Sequence, residues 1–255
     1  KEYRRQRQMC IRDRLRRKFP NNTATDLIRL IVEPGTYEED VQLFPGLGLA
    51  GRSRAASIII GRVDLDAGSV IYNITLQERT FEPADGDKRI VRMATGPVTL
   101  REVSVIGGAG REATGMRVEG DQQATNTVID CLFSGLFQGI EIRESIPRIT
   151  RTIFEDIATN GVVFRLRGGG LPKNGGDNSF GDISDPYSGY NVFKGVGEKA
   201  VTNERAETIL MQNNDWGTDN EEQIGNLISG AAIVPPILAP AGEVLAGGVF
   251  CTVWD

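Results

Sequence analysis

Thr114-Gly115-Met116-Arg117-Val118-Glu119, Gln138-Gly139-Ile140-Glu141-Ile142-Arg143 and Asn160-Gly161-Val162-Val163-Phe164-Arg165 are three copies of one phrase, in which a polar residue and a glycine precede alternating apolar side chains. The offsets are 24 and 22 residues, and Val91-Arg92-Met93 fits the same register 25 residues upstream. Self-similarity at a period of about 20 to 50 residues marks a solenoid. Stacking the copies puts Val91, Met116, Ile140 and Val162 in one column, with Met93, Val118, Ile142 and Phe164 beside it, so each strand has one buried face.

A second column runs through Leu76, Val105, Phe133 and Phe154, which end the phrases beginning at Asn73, Glu102, Asp130 and Thr152; Phe193 and Trp216 continue it. Two strand columns per irregular turn of 21 to 28 residues describe a coil wound on itself. A β-sandwich with evenly spaced strands would also alternate, but it does not account for the repeated Gly-apolar-x-apolar phrase. The register also sets Arg117 beside Glu141 and Glu119 beside Arg143 on adjacent rungs, pairs that could contribute a few tenths of a kcal/mol each. Arg165 then follows Arg143, a like-charge stack that water would screen or an anionic ligand would occupy.

Upstream, Leu30-Ile31-Val32-Glu33-Pro34-Gly35-Thr36-Tyr37-Glu38-Glu39-Asp40-Val41 is a short strand stopped by a Pro-Gly turn, and Ile58-Ile59-Ile60-Gly61 repeats the pattern. These residues resemble the first turns of right-handed parallel β-helix proteins of the pectin-lyase-like superfamily. Asn213-Asn214-Asp215-Trp216-Gly217-Thr218-Asp219, with Ile224 and Ile228, resembles the closing turn and short helix of bacterial members. The resemblance implies an all-β, right-handed parallel β-helix of about seven to eight coils. It spans roughly residues 28 to 240, most of the chain.

That superfamily hosts several activities, so the site residues decide between them. Pectin methylesterases share the Pro-Gly-Thr-Tyr phrase and work through two aspartates on neighbouring coils. In the resembling phrases here those places fall on Gly139 and Gly161. Polygalacturonase-type hydrolysis needs a histidine, and the chain contains none. The lack of histidine also excludes Ser-His and Cys-His nucleophiles and His-ligated metal sites. An elimination of the pectate-lyase type remains chemically open. It would use an arginine among Arg143, Arg165 and Arg167 as base, facing Glu119, Glu141 and Glu144, with Ca²⁺ neutralising the uronate. Asp64 and Asp66, and the pair Asp85 and Asp87, are weak Ca²⁺ candidates that strand alternation and turn placement alone would explain. Glycines and prolines break the rhythm between Arg167 and Tyr190, where Tyr187 and Tyr190 could stack on a sugar ring or simply decorate a solvated bulge.

The 255 residues carry a net charge of -5, but residues 1 to 18 hold nine Lys and Arg against two acids, which leaves a body of -12. Met9-Cys10-Ile11-Arg12-Asp13-Arg14 resembles translated sequencing-adapter read-through, so the head is expected to be spurious or disordered and no nucleic-acid partner is inferred from it. Cys10, Cys131 and Cys251 are far apart and expected to be inert thiols. The apolar stretch Leu227 to Phe250 is interrupted by Pro235, Pro236, Pro240 and Glu243, which argues against a membrane span.

The expected organisation is therefore a basic leader over 1–24, the β-helix over 25–240 and a C-terminal segment over 241–255 that is expected to be truncated. The leading functional expectation is a noncatalytic β-helix module, extracellular or on a cell or virion surface, that needs no cofactor and presents a face to polysaccharide or a protein partner. Glu119, Glu141, Tyr187 and Tyr190 are its ligand-binding candidates. The alternatives are a Ca²⁺-dependent polysaccharide lyase, and a phage tailspike or adhesin fragment carrying a trimerising apolar surface along one edge. No oligomeric state is fixed by these features.

Overall fold

Three strand segments recur in the same order along the chain, and each returns one rung above its predecessor in its own sheet. The computed structural model describes residues 28–81, 86–94, 96–119, 126–144, 146–165, 180, 189–205 and 208–233. Sheet I stacks six strands from Ile28–Val32 to Arg148–Thr150, sheet II seven from Gly35–Glu38 to Val192–Val196, and sheet III eight from Val41–Gln42 to Ile228–Ser229. All pairings within these sheets are parallel. A single chain wound through three parallel sheets is a parallel β-helix, with the right-handed winding that parallel crossovers favour. The head over 1–24 and the segment over 241–255 lie outside the described residues.

The register read from the repeats is the register observed. Met116 pairs with Val91 and Ile140, Ile140 with Val162, and Val118 with Met93 and Ile142. In sheet II, Val105 pairs with Leu76 and Phe133, Phe133 with Phe154, and Phe154 with Phe193. One expectation is corrected: each turn has three strand columns, not two. Sheet I was hidden because its later strands are only three residues long, as in Thr99–Arg101 and Thr127–Ile129, and offer a single inward residue each, Leu100 and Val128. Such a strand has no alternation to read.

The corner between sheets I and II is equally regular. Asn73, Glu102, Asp130, Arg151, Tyr190 and Asn213 occupy it in successive turns, with φ between 48° and 59°. A left-handed conformation costs a non-glycine residue roughly 1–2 kcal/mol. Side chains at the corner offset part of that cost. Asn73 donates through Nδ2 to the Gly51 carbonyl and accepts the Arg54 N–H, both at 3.1 Å. Arg151 grips both carboxylate oxygens of Asp130 at 2.6 and 2.9 Å. One residue further on, buried Asn191 and Asn214 form a ladder: Asn214 Oδ1 accepts the Asn191 N–H at 3.0 Å, and Asn191 Oδ1 accepts the Thr152 N–H at 3.0 Å. The closing helix Glu221–Leu227 follows, capped by Asn220 and anchored by buried Ile224.

The upper core is an aromatic stack. Ring centroids of Phe133 and Phe154 lie 5.3 Å apart, those of Phe154 and Phe193 5.0 Å, and those of Phe193 and Trp216 5.0 Å, all with nearly parallel planes. Phe180 corrects the reading of the irregular stretch as a purely solvated bulge. It is fully buried, edge-on to Phe164 and tilted against Phe154 and Phe193. The stretch therefore supplies a core residue. Cys131 is buried as expected, and burial pushes its thiol up to about 12. Cys10 and Cys251 lie outside the described residues.

Phe154→Ala is expected to cost about 3–5 kcal/mol, because it removes the middle ring of the stack. Phe137→Ala, at a side chain 46% exposed, should stay within about 0.5 kcal/mol. Denaturant unfolding followed by circular dichroism measures both. Asp130→Asn tests the corner pair. The Arg151 hydrogen bond outweighs partial burial and holds the Asp130 carboxyl below its ordinary value. Its stabilisation is thus present above the unfolded-state pKa and lost as pH falls through the lower folded value. Wild type should exceed the variant by a few tenths to about 1 kcal/mol at pH 7, with the gap closing in acid.

Candidate functional site

The outer face of sheet III gathers the charged residues singled out from the sequence. Alternation points Val91, Met93, Met116, Val118, Ile140, Ile142, Val162 and Phe164 into the core, so the residues between them face outward. Register then aligns Asp64, Arg92, Arg117 and Glu141 in one column, with Val163 above them. Glu119, Arg143 and Arg165 follow their strands and form the flanking column, each N–H bonding the rung below.

Glu141 is the hub. Its side chain is only 7% exposed and meets Arg117 at 2.7 Å, Arg143 at 3.2 Å and Arg165 at 3.3 Å. Burial pushes its carboxyl up, but the hydrogen bond and charge of Arg117, joined by Arg143, outweigh burial and hold it below its ordinary value. Around this hub, Arg143 reaches Glu119 at 3.7 Å, Arg92 binds Glu119 at 2.6 Å and Arg117 binds Asp87 at 2.8 Å. Arg165 extends the chain to Glu204 at 2.5 Å, and Arg89 joins it to Asp87 and, at 3.0 Å, to Asp64. The expected neighbours Arg117 with Glu141 and Glu119 with Arg143 are thus present. The expected like-charge stack of Arg143 and Arg165 is resolved by Glu141, which bridges both.

Sequence reasoning missed the reach of this network. Arg89, Arg92, Asp87 and Glu204 belong to it, and the register that carries Asp64, Arg92, Arg117 and Glu141 on successive rungs was the available signal for part of it. It contains five arginines, Arg89, Arg92, Arg117, Arg143 and Arg165, and five carboxylates, Asp64, Asp87, Glu119, Glu141 and Glu204. The network is formally neutral. An arginine that takes a proton from substrate has to be released from carboxylates, whereas Arg143 and Arg165 are each held between two of them.

The remaining candidates are not brought to this cluster as a ligand set. Asp64 is engaged by Arg89, while Asp66 lies beyond the strand end and accepts the Ala67 N–H at 2.8 Å. Among the described residues no group of three or more His, Cys, Asp or Glu is placed to hold a metal ion. Tyr190 sits at the left-handed corner between sheets I and II, exposed, on another side of the solenoid from Glu141. Arg167 and Tyr187 lie outside the described residues. Gly139 and Gly161 face the core, not the surface. A Cβ on Gly139 would fall on the Gly161 carbonyl oxygen, and one on Gly161 would lie 2.6 Å from the Ala200 carbonyl and 3.0 Å from the Phe193 ring. An aspartate fits at neither place, so these glycines are set by coil packing. No helix among the described residues is long and apolar enough to cross a membrane.

No protein-family model matches the sequence, and no curated protein matches it. Among solved structures, a pectin methylesterase in complex with a hexasaccharide is similar, with 12% sequence identity and a TM-score of 0.31, over 80% of this chain and 72% of that one. A likeness that distant adds nothing to the three parallel sheets, and they define the fold: this chain is a parallel β-helix.

Proposed function

We propose that the chain is a noncatalytic β-helix module, working outside the cell or on a cell or virion surface, that presents the side of its solenoid to a polysaccharide or a partner chain. The observation that carries this reading is the closed network on sheet III. The arginines and carboxylates that a Ca²⁺-dependent lyase would need are paired with one another across rungs, with Glu141 held by three guanidiniums. Charges arranged this way tie successive coils together and leave no net charge to draw in a uronate.

A partner of such a face would be recognised by shape and neutral hydrogen bonding rather than by charge. Thr114 pairs with Gln138, and Asn160 with Lys199, along the margin of the same sheet. Thr114 and Asn160 are half-buried and supply a hydroxyl and an amide of the kind that suits a glycan or a peptide backbone, whereas Gln138 is buried.

The deciding experiment incubates the protein with polyuronates, with and without Ca²⁺, and follows formation of unsaturated product. No turnover is expected under either condition. Turnover that is abolished by chelator and by Arg165→Ala would overturn the proposal. Stability supplies an independent readout. Glu141→Gln leaves three guanidiniums around a neutral amide and should destabilise the fold by about 1–3 kcal/mol at pH 7. The Glu141 carboxyl is held low in the folded state, so its contribution is complete above the unfolded pKa and disappears as pH falls through the folded value. Wild type and variant should therefore converge in acid when unfolding is measured across pH.

A further inference from the structure

Phe137 is the most exposed aromatic residue among those described, at 46%. It closes the turn Gly135-Leu136-Phe137 between the sheet II strand Leu132–Ser134 and the sheet III strand Gln138–Ile142. Coil packing does not ask for a ring there. Leu136 supplies the turn's core side chain, and the places bonded to Phe137 from the rungs on either side hold Ala113 and Thr159. A single exposed apolar residue is ordinary, but two further features set this one apart. Its backbone is fixed on both sides: the N–H donates to the Ala113 carbonyl at 3.0 Å, and the carbonyl accepts the Thr159 N–H at 2.9 Å and the Thr159 hydroxyl at 2.7 Å. Gln138, next in the chain, is only 5% exposed, and its Nε2 has no hydrogen-bond acceptor. Phe81, two rungs below on the same edge, is covered by the Arg62 guanidinium at 5.5 Å. None of the ring or cation contacts among the described residues involves Phe137.

We propose that Phe137 is the platform on which a pyranose ring of a neutral, β-linked glycan stacks. The proposal rests on the reading of the chain as a module that binds polysaccharide, and it names the class of glycan. A β-linked glucosyl ring carries its hydroxyls around its edge and C–H groups on both faces, so an exposed phenyl face holds it by dispersion and exclusion of water. The polar groups beside Phe137 suit those edge hydroxyls. Thr114 lies on the rung below Gln138, and Thr159 and Asn160 begin the rung above. The Thr159 hydroxyl donates to the Phe137 carbonyl, which leaves its oxygen as an acceptor. Asn160 Oδ1 accepts the Thr202 hydroxyl at 2.8 Å, which leaves its amide nitrogen as a donor. A buried donor without a partner costs free energy, and a glycan hydroxyl entering beside Phe137 would give the Gln138 Nε2 the acceptor it lacks. Charge selects the neutral class. Lys88 pairs with Glu112 at 2.6 Å and Arg111 with Asp156 at 2.7 Å, while Glu198 stands next to Lys199. Among the described residues this leaves no unbalanced cation at the turn to fix a carboxylate or sulfate. The body's charge of -12 outside the first 18 residues repels a polyanion at long range.

Titration of the full 255-residue chain with cellohexaose, and in parallel with a galacturonate hexamer, tests the proposal. Backbone amide chemical shifts are followed to about 10 mM glycan, a range that captures weak binding. Cellohexaose is expected to bind, with shifts centred on Phe137, Gln138 and Thr159, and the galacturonate hexamer to bind more weakly. Phe137→Ala should weaken cellohexaose binding about fivefold, and Phe137→Trp should retain it. Gln138→Leu separates binding from folding. It removes a buried donor that has no partner, so thermal melts should show stability unchanged or raised while affinity for cellohexaose falls. Cellohexaose binding that Phe137→Ala leaves intact, or that shifts amides on another side of the solenoid, overturns the proposal and leaves the module reading standing. Tighter binding of the galacturonate hexamer overturns it as well. Binding of neither glycan overturns it and also removes polysaccharide from the module reading, which then retains the partner chain alone.

Discussion

Each rung of the solenoid lies about 4.8 Å above the last, and parallel pairing repeats that spacing wherever the chain returns to a column. An inward side chain is therefore covered by the inward side chain of the next turn and by little else. Flat rings meet this constraint well, because two stacked rings need almost the same distance that the backbone imposes. The centroids from Phe133 to Phe154, Phe193 and Trp216 are 5.0 to 5.3 Å apart. Lower in the coil the same column is filled by Leu76 and Val105, and the neighbouring column of sheet III by Val91 and Met116, all fully buried. Dispersion and exclusion of water act along the axis, so each turn depends on its two neighbours.

The same constraint governs the backbone. Turning from sheet I into sheet II within one residue demands a left-handed φ, and the chain accepts it at Asn73, Glu102, Asp130 and Arg151 in place of glycine. Where the start of a sheet III strand passes beneath the aromatic stack, there is no room for a Cβ, and Gly139 and Gly161 stand there. Packing accounts for both glycines. They occupy positions that invite comparison with catalytic carboxylates, yet they point into the core, where an ionised side chain would be both crowded and costly.

Much of this was legible because the repeat exposes its own register. Offsets among Met116, Ile140 and Val162 placed every sheet III pairing in the middle of the chain, and Phe133, Phe154 and Phe193 did the same for sheet II. Sheet I escaped because one inward residue per strand carries no period. Phe180 escaped because it lies in a stretch rich in glycine and proline, and only three-dimensional proximity brings it to Phe154 and Phe193. At the site, the pairs Arg117 with Glu141 and Glu119 with Arg143 followed from the register. The convergence of Arg165 on Glu141 did not, because it depends on a long side chain reaching diagonally across a rung.

Two of the outer faces resolve the surface problem of a solenoid in different ways. Sheet III closes its charges on one another: five arginines and five carboxylates sum to no charge, and Glu141 at the hub is nearly hidden. Such a face holds turns together and has little affinity left over for an ion. Sheet II sets Ile58, Ile106 and Ile153 among polar outward residues, Thr75, Gln77, Ser104 and Ser134, and Arg54 lies across them, bonded to Ser104 Oγ at 2.6 Å and to the Asp130 carbonyl at 3.4 Å. The acidic excess of the body, -12 outside the first 18 residues, keeps separate copies apart at long range.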